Sequence, residues 1–503
     1  MVSNMRQRVD KRALRPAIDD VLSKLGRGHI DSVAYDTAWT ARVARLFPNA
    51  GFENALPWLR ARQHADGSWG GEIIHHHDRF ISTLAAAIAL KEHGNVPDDA
   101  DRVRRAEEFL WREYPRLHQD AHETIGFPVL AVSLLDEARQ LEMNVPHNPR
   151  CDAETIAKKL TILQYSPHLW RNHTMSFSLE AIRSVFPKRP DFLETNGSVG
   201  TSPAATAALL LRSQHRSPEA LAYLRSALMA DGGVPNVSPI DTFEIAWSLN
   251  YLRIAGAVNP GDLQVRRALS ELWHAWSPQS GLGFSSYYSI FDLDDTAAGY
   301  AVLRWGGYRV DESVFAQFEE EHHFRCFPHE IDPSLSAQVR LISALKGAPA
   351  GSRAAAWIEK TVAMLRSSET KGEFWFDKWH ASPYYLACIA VEALTGVADD
   401  MVITRLHWLY STQNGDGGWG FYGWSTPEET AYGLLSLLFW ERQRGGIDPA
   451  RLHAAADFLL GHVDDEHLTP LWLGKCLYTP RYVVKSTLLA ALHAYALWNE
   501  QQR

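Results

Sequence analysis

Residues 412–423 read TQNGDGGWGFYG, and the same order of glutamine, acid, glycines and tryptophan returns at 63–72 as QHADGSWGGE. LMADGGVPN (228–236) and SPQSGLGFSS (277–286) are looser copies. Glycines in such a turn admit positive φ, and the tryptophan is expected to lie over a neighbouring helix end, tying one helical hairpin to the next. Between the turns, stretches such as RFISTLAAAIALKEH, DTFEIAWSLNYLRIAG and EETAYGLLSLLFWERQ place apolar residues at three- and four-residue steps and read as amphipathic helices. Several helices open on a small-residue signature, in YDTAW (35–39), FISTLA (80–85), DDTAAGY (294–300) and EETAYGL (428–434). Strand-like alternation is scarce. The chain is therefore expected to be all-α, and helical hairpins repeated and tied in this way suit closed α–α barrels whose inner helices ring a cavity.

A length of 503 residues exceeds one ordinary core, so two domains are the natural expectation. A composition 46% hydrophobic and 22% charged is that of a globular chain. No apolar run is long enough to span a membrane, and MVSNMRQRVDKRALRPAIDD has no apolar centre for a secretory signal, which points to the cytoplasm. Cys151, Cys326, Cys388 and Cys476 are far apart with no CxxC pair, as buried free thiols would be. A net charge of −9 without a basic tract argues against nucleic acid as the main partner. The 18 Trp, 17 Tyr and 20 Phe exceed what packing asks for, and a pocket walled by aromatic faces is one use for them.

The chemistry concentrates at IFDLDDTAAG (290–299), where Asp292, Asp294 and Asp295 crowd the start of an apolar helix. Carboxylates at this spacing could hold Mg²⁺, as in diphosphate-ionising terpene synthases, but the DDxxD and Asn/Ser/Glu motifs of those enzymes are absent; PDDADR (97–102) has the wrong spacing and HVDDEH (462–467) reads as a solvated turn. The alternative is acid chemistry. In an apolar setting each further negative charge is disfavoured, so one of the three keeps its proton at neutral pH and can protonate an alkene once water is excluded. Aromatic faces would then stabilise the carbocation. Helix capping by Asp is the plain alternative, and a helical scaffold the non-enzymatic one.

DLDDTA resembles the DxDD motif of class II terpene cyclases. DSVAYDTAW, DGSWG, DRFISTLA, LETNGSV, GGVPNV, FEIAWSL, FDKW, DGGWGF and EETAY resemble that family's landmarks in order, from about residue 30 to 435. The chain most resembles bacterial diterpene cyclases of the copalyl, halimadienyl or kolavenyl diphosphate synthase type. Squalene–hopene cyclases share the acid motif but are longer and carry a membrane-docking helix not found here. The resemblance implies two α-barrels, β and γ, with γ inserted in β: residues 1–45 and 256–503 forming β, and 46–255 forming γ. It implies bicyclisation of geranylgeranyl diphosphate with the diphosphate retained, and a downstream class I terpene synthase or phosphatase. The middle acid, Asp294, becomes the proton donor, tuned by Asp292 and Asp295. Lys159 in AKKLTI and Lys378 in FDKW match lysines resembling diphosphate ligands. Glu72 and Asp78, in GGEIIHHHDRF, are candidates for Mg²⁺. The HHH at 75–77 is not expected to bind a transition metal, since three adjacent residues cannot share one helical face.

One departure bears on the product. Plant-type ent-copalyl cyclases pair a His in LHSLEG with the Asn of PNV through a water to end the reaction. Asn236 is kept, but in TMSFSLEAI the matching position is Phe177, whose ring cannot accept a proton. The bicyclic cation is then expected to persist through 1,2-shifts to a halimadane or clerodane (kolavenyl-type) skeleton. Plain copalyl diphosphate is the alternative product, and a drimenyl-type cyclase acting on farnesyl diphosphate the alternative enzyme. A protein prenyltransferase subunit would share the barrel but needs a zinc site of Asp, Cys and His.

Overall fold

The computed structural model describes residues 11–147, 158, 161, 170–171, 173–182, 192–213, 217–328, 330, 333–368 and 373–502. In chain order the described helices are α1 (Lys11–Lys24), α2 (Ala34–Val43), α3 (Ala55–Ala61), α4 (His76–His93), α5 (Asp99–Glu113), α6 (Phe127–Gln140), α7 (Pro203–Arg212), α8 (Pro218–Ser226), α9 (Asp241–Ile254), α10 (Leu263–Ala275), α11 (Leu293–Trp305), α12 (Leu335–Leu345), α13 (Arg353–Ser367), α14 (Pro383–Leu394), α15 (Asp399–Thr412), α16 (Pro427–Arg444), α17 (Pro449–His462) and α18 (Arg481–Gln501). A 3₁₀ segment, Thr174–Ala181, lies between α6 and α7, and one short antiparallel pair joins Trp472–Leu473 to Leu477–Tyr478.

Helices α9, α11, α12, α14, α16 and α18 each pack on the next, and α18 packs back on α9, closing a ring. Helices α10, α13, α15 and α17 lie outside it, and α1 sits against α18 and α10. Burial separates the layers. Helix α16 is buried at every residue from Glu428 to Phe439, whereas α10 buries only Val265, Ala268, Leu269 and Leu272, a single stripe. The second barrel is built around α2, which packs on α4 and α7, with α6 and the 3₁₀ segment completing the circuit. One apolar core joins α1 to residues from Val237 to Trp498, and a second runs from Val33 to Leu224. A small cluster of Ile73, Ala381, Leu471, Leu473 and Leu477 sits at the seam.

The core therefore changes hands between residues 30 and 33 and between 224 and 237, ahead of each expected boundary at 45/46 and 255/256. Helix α2 is buried on all ten residues and belongs to the second core, while α9 belongs to the first. An inner helix buried all round carries no single stripe to say which barrel it serves.

The glycine turns carry the barrels. In the 412–423 turn the Trp419 indole donates to Leu409 O (2.9 Å), and Gln413 donates to Gly417 O within the turn and to Arg451 O of α17. Trp69 and Gln63 make the same bonds to Leu59 O, Gly67 O and Arg102 O. Gly417 has φ +90°, and a Cβ there would stand 2.5 Å from Ala454 O, so only glycine allows this approach. Just past each turn, one backbone N–H donates to a threonine hydroxyl on an inner helix. Trp419 donates to Thr430, Trp69 to Thr83, Val199 to Thr206, Val234 to Thr37 and Leu282 to Thr296, all at 2.9–3.0 Å. The Thr of the Thr-Ala signature is thus a clamp, and Thr296 in DLDDTA is one of five.

Thr430→Val is expected to leave the buried N–H of Trp419 unpaired and to destabilise the protein by about 1–3 kcal/mol. Chemical denaturation checks this, with activity per folded molecule retained.

Candidate active site

A cavity of about 300 Å³ opens between the barrels, with a mostly apolar lining that includes Phe177, Phe243, Trp247, Phe284, Trp379 and Trp472. All three aspartates of the DLDDTA segment reach it, together with Asn236, Tyr288, Cys326, Glu330 and Tyr478.

Asp292 is the N-cap of α11, and its carboxylate accepts the Asp295 N–H at 2.8 Å. The capping expectation thus describes Asp292, which repeats the position of Thr426 at α16 and Ser202 at α7. Asp292 and Asp295 also hydrogen-bond through their carboxyls, and burial together with mutual repulsion pushes both well above the usual carboxylate range. Ionising both at once is therefore disfavoured. Asp294 differs. Its Oδ2 accepts from Ser336 Oγ at 3.4 Å, and its Oδ1 lies 3.1 Å from Nε of Arg340, an ionic contact without hydrogen-bond alignment. Burial pushes Asp294 up to about 7, against the opposing pull of Arg340.

Arg340 itself is fixed on three sides: its guanidinium lies 4.0 Å over the Trp247 ring, donates to Tyr385 Oη at 3.0 Å and faces Asp294. A carboxylic acid next to a buried cation is ready to lose its proton, and the apolar cavity denies that proton to water. Arg340 had no signal in the sequence, since it sits in an ordinary-looking helix 46 residues from Asp294.

The remaining sequence candidates are distributed unevenly. Asn236 lines the cavity, but its amide is held by protein: Nδ2 donates to Asp36 Oδ2 at 2.9 Å, and Oδ1 accepts from the Lys475 N–H at 3.3 Å. Phe177 lines the cavity too, and the Lys475 ammonium lies 4.4 Å from its ring centroid. Lys475 is fully buried against Glu180 and Ser202, both at 2.6 Å, and was not singled out from the sequence. Lys378 pairs with Glu330 at the cavity lining. Lys159 lies outside the described residues.

Glu72 and Asp78 do not form a shared carboxylate site for Mg²⁺. Asp78 is fully buried and accepts the N–H groups of Gly71 (2.7 Å) and Leu477 (2.9 Å), joining the two barrels, whereas Glu72 is exposed and pairs with His467. Neither presents a free carboxylate toward the other. Asp78 was legible as an acid at a helix start, but its partner 399 residues away was not.

A double α-barrel with a buried carboxyl triad facing an aromatic cavity is the apparatus of a cyclase that starts by protonation. Comparison with known proteins agrees. Residues 305–437 match the squalene-hopene cyclase C-terminal domain. A type B diterpene cyclase of Mycobacterium tuberculosis is 35% identical over 492 residues, covering 93% of this chain and 96% of that one. A (+)-kolavenyl diphosphate synthase of Herpetosiphon aurantiacus is 30% identical, over 95% of this chain and 98% of that one. The solved ent-copalyl diphosphate synthase from Streptomyces platensis superposes with a TM-score of 0.80 at 27% identity, covering 96% and 99% of the two chains. The chain belongs to the class II diterpene cyclases. It is an intramolecular lyase of the isomerase class.

Three outcomes test the assignment of the acid. Asp294→Asn is expected to abolish cyclisation with the helical fold retained by circular dichroism, because an amide has no proton acidic enough for an alkene. In the wild type, activity needs protonated Asp294 and so is lost as pH rises through about 7. Arg340→Gln removes the cation that lowers the pKa of Asp294; the alkaline limb of the pH–rate profile is expected to move upward while kcat falls, since the acid is weaker.

Proposed function

We propose that the enzyme cyclises geranylgeranyl diphosphate to a bicycle with the diphosphate retained, and releases a rearranged kolavenyl- or halimadienyl-type diphosphate. The observation that carries this reading is the Asp294 carboxyl, paired with buried Arg340 and opening onto an aromatic cavity. In the proposed reaction Asp294 gives its proton to the far alkene of the substrate, a C–H bond forms, and the neighbouring double bonds close two rings as the cation moves along the chain. Trp247, Phe243 and Trp472 flank this end and offer ring faces to the cation. The absence of a DDxxD motif supports retention of the diphosphate.

For the diphosphate end we propose Lys378 and Lys159. Lys378 is paired with Glu330, so the substrate's diphosphate must displace that carboxylate. Mg²⁺ enters this proposal only as the counter-ion a diphosphate brings with it, since the oxygens of Asp78 already hold backbone donors. A cytoplasmic location and a downstream class I synthase or phosphatase belong to the same proposal. Cys326, Cys388 and Cys476 are buried free thiols, as a reducing compartment allows, and no described helix is long and apolar enough to cross a membrane.

Rearrangement is favoured by what surrounds Asn236. Its amide is occupied by Asp36 and Lys475, and Phe177, which lines the same cavity, offers a ring and no base. The kolavenyl diphosphate synthase among the relatives supports the same outcome.

Incubation with geranylgeranyl and farnesyl diphosphates, phosphatase treatment and gas chromatography test the substrate and product together. Turnover of the C20 substrate to a rearranged bicyclic alcohol is expected; exclusive turnover of farnesyl diphosphate would overturn the reading. Phe177→His is expected to shift the product toward an exocyclic-methylene copalyl diphosphate, because an imidazole accepts a proton near neutrality. Lys378→Ala is expected to raise KM roughly ten- to a hundred-fold with the product pattern unchanged, as for loss of a charged hydrogen bond of about 1.5–3 kcal/mol.

A further inference from the structure

The histidine run at 75–77 does not behave as three residues of one helix. His75 is the N-cap of α4, with φ −108° and ψ 112°, while His76 and His77 are its first helical residues. The extended backbone at position 75 turns its ring toward that of His77, whereas His76 pairs separately with Glu113. Asp120, in the segment after α5, completes the group. Its Oδ2 lies 3.2 Å from Nδ1 of His75 and 2.7 Å from Nδ1 of His77, and the three ligand atoms fall within 4.8 Å of one another.

Hydrogen bonding accounts for His77, whose Nδ1–H can donate to Asp120, and for the His77 backbone N–H, which donates to the same oxygen. It does not account for His75. The Nδ1 of His75 accepts the Asp78 N–H at 3.3 Å, and its ring also bonds the His122 backbone. In that tautomer the one lone pair on Nδ1 receives the Asp78 N–H, and Nδ1 has no proton to offer the carboxylate oxygen 3.2 Å away; a metal there would take that lone pair over. Two lone pairs held this close in a buried setting repel unless a cation lies between them. A bond from an imidazole to a backbone group is also the usual way a ligating histidine is oriented.

We infer that His75, His77 and Asp120 form a site for a borderline divalent transition metal, of which Zn²⁺ is the natural occupant. Two imidazoles and one carboxylate, all with side chains at most 6% exposed, make a ligand set that zinc accepts, with a fourth position left for water. The site excludes Mg²⁺, which prefers oxygen ligands. Its place suggests what the ion does. The group pins the start of α4 to the segment after α5, and Asp78, three residues on, bonds the Leu477 backbone across the seam between the barrels. A metal here would stiffen the face of the second barrel on which the cavity-bearing barrel rests.

The test uses the full-length protein with any purification tag removed, stripped with EDTA and desalted. Adding one equivalent of Co²⁺ is expected to give visible d–d bands of a low-coordinate site, which Zn²⁺ then bleaches, and Zn²⁺ is expected to raise the Tm of the stripped protein. Asp120→Asn and His77→Gln should each weaken Co²⁺ binding by at least about tenfold, while His467→Ala, at an exposed histidine outside the group, should leave it unchanged. Wild-type protein that shows neither the bands nor a Zn²⁺-dependent Tm overturns the proposal. So do bands that persist at full strength in folded Asp120→Asn and His77→Gln, which would place the cobalt elsewhere.

Discussion

A single hydrogen bond, repeated, organises this molecule: the backbone N–H that leaves a glycine turn donates to a threonine hydroxyl near the start of an inner helix. In α2, α7, α11 and α16 that threonine is the fourth helical residue, and in α4 it lies one turn later. Both partners are buried, so an unmade bond would leave a donor stranded in apolar surroundings. The clamp fixes the height of each inner helix against the turn beneath it, and therefore where its first turn enters the cavity. The acid of the enzyme is built on this device. Asp292 caps α11 as Thr426 caps α16, Thr296 clamps α11 as Thr430 clamps α16, and Asp294 occupies a position between them that the clamp holds still.

Electrostatics then divides the three acids. Asp292 and Asp295 hydrogen-bond to each other and resist ionising together, while Asp294 faces Arg340. Burial raises all three, so the triad cannot ionise as three solvated carboxylates would. The guanidinium acts in the opposite direction on Asp294 alone, keeping it the strongest acid of the group without freeing its proton to water. Acid strength and water exclusion normally oppose one another. Here a buried guanidinium beside the carboxyl reconciles them, and the aromatic wall over which Arg340 stacks is continuous with the surface that would meet the cation.

What was legible in the sequence followed from local rules. The glycine turns, the Trp and Gln that bridge them, the Thr-Ala helix starts and the acid triad each lie within a dozen residues, and each declares its geometry through residue type. Contacts made across long stretches of chain were not legible. Arg340 meets Asp294 across 46 residues, Lys475 meets Glu180 across 295, and Asp78 meets Leu477 across 399. Helical periodicity also failed at the seam, because inner helices such as α2 and α9 are buried on nearly every face and carry no sign of which barrel owns them. The approach of His75 and His77 to Asp120 was not legible for a related reason, since the rule that adjacent residues cannot share a helical face was applied to the whole run. That rule assumes helix at 75, where the chain is still extended.

The central claim is that Asp294 stands protonated near neutral pH while touching a buried cation. Infrared difference spectra between the wild type and Asp294→Asn, recorded across pH, observe that proton directly. The account predicts a protonated-carboxyl band that belongs to Asp294 and disappears with a midpoint near 7 as pH rises. A difference spectrum showing only ionised carboxylate from pH 5 upward would contradict it.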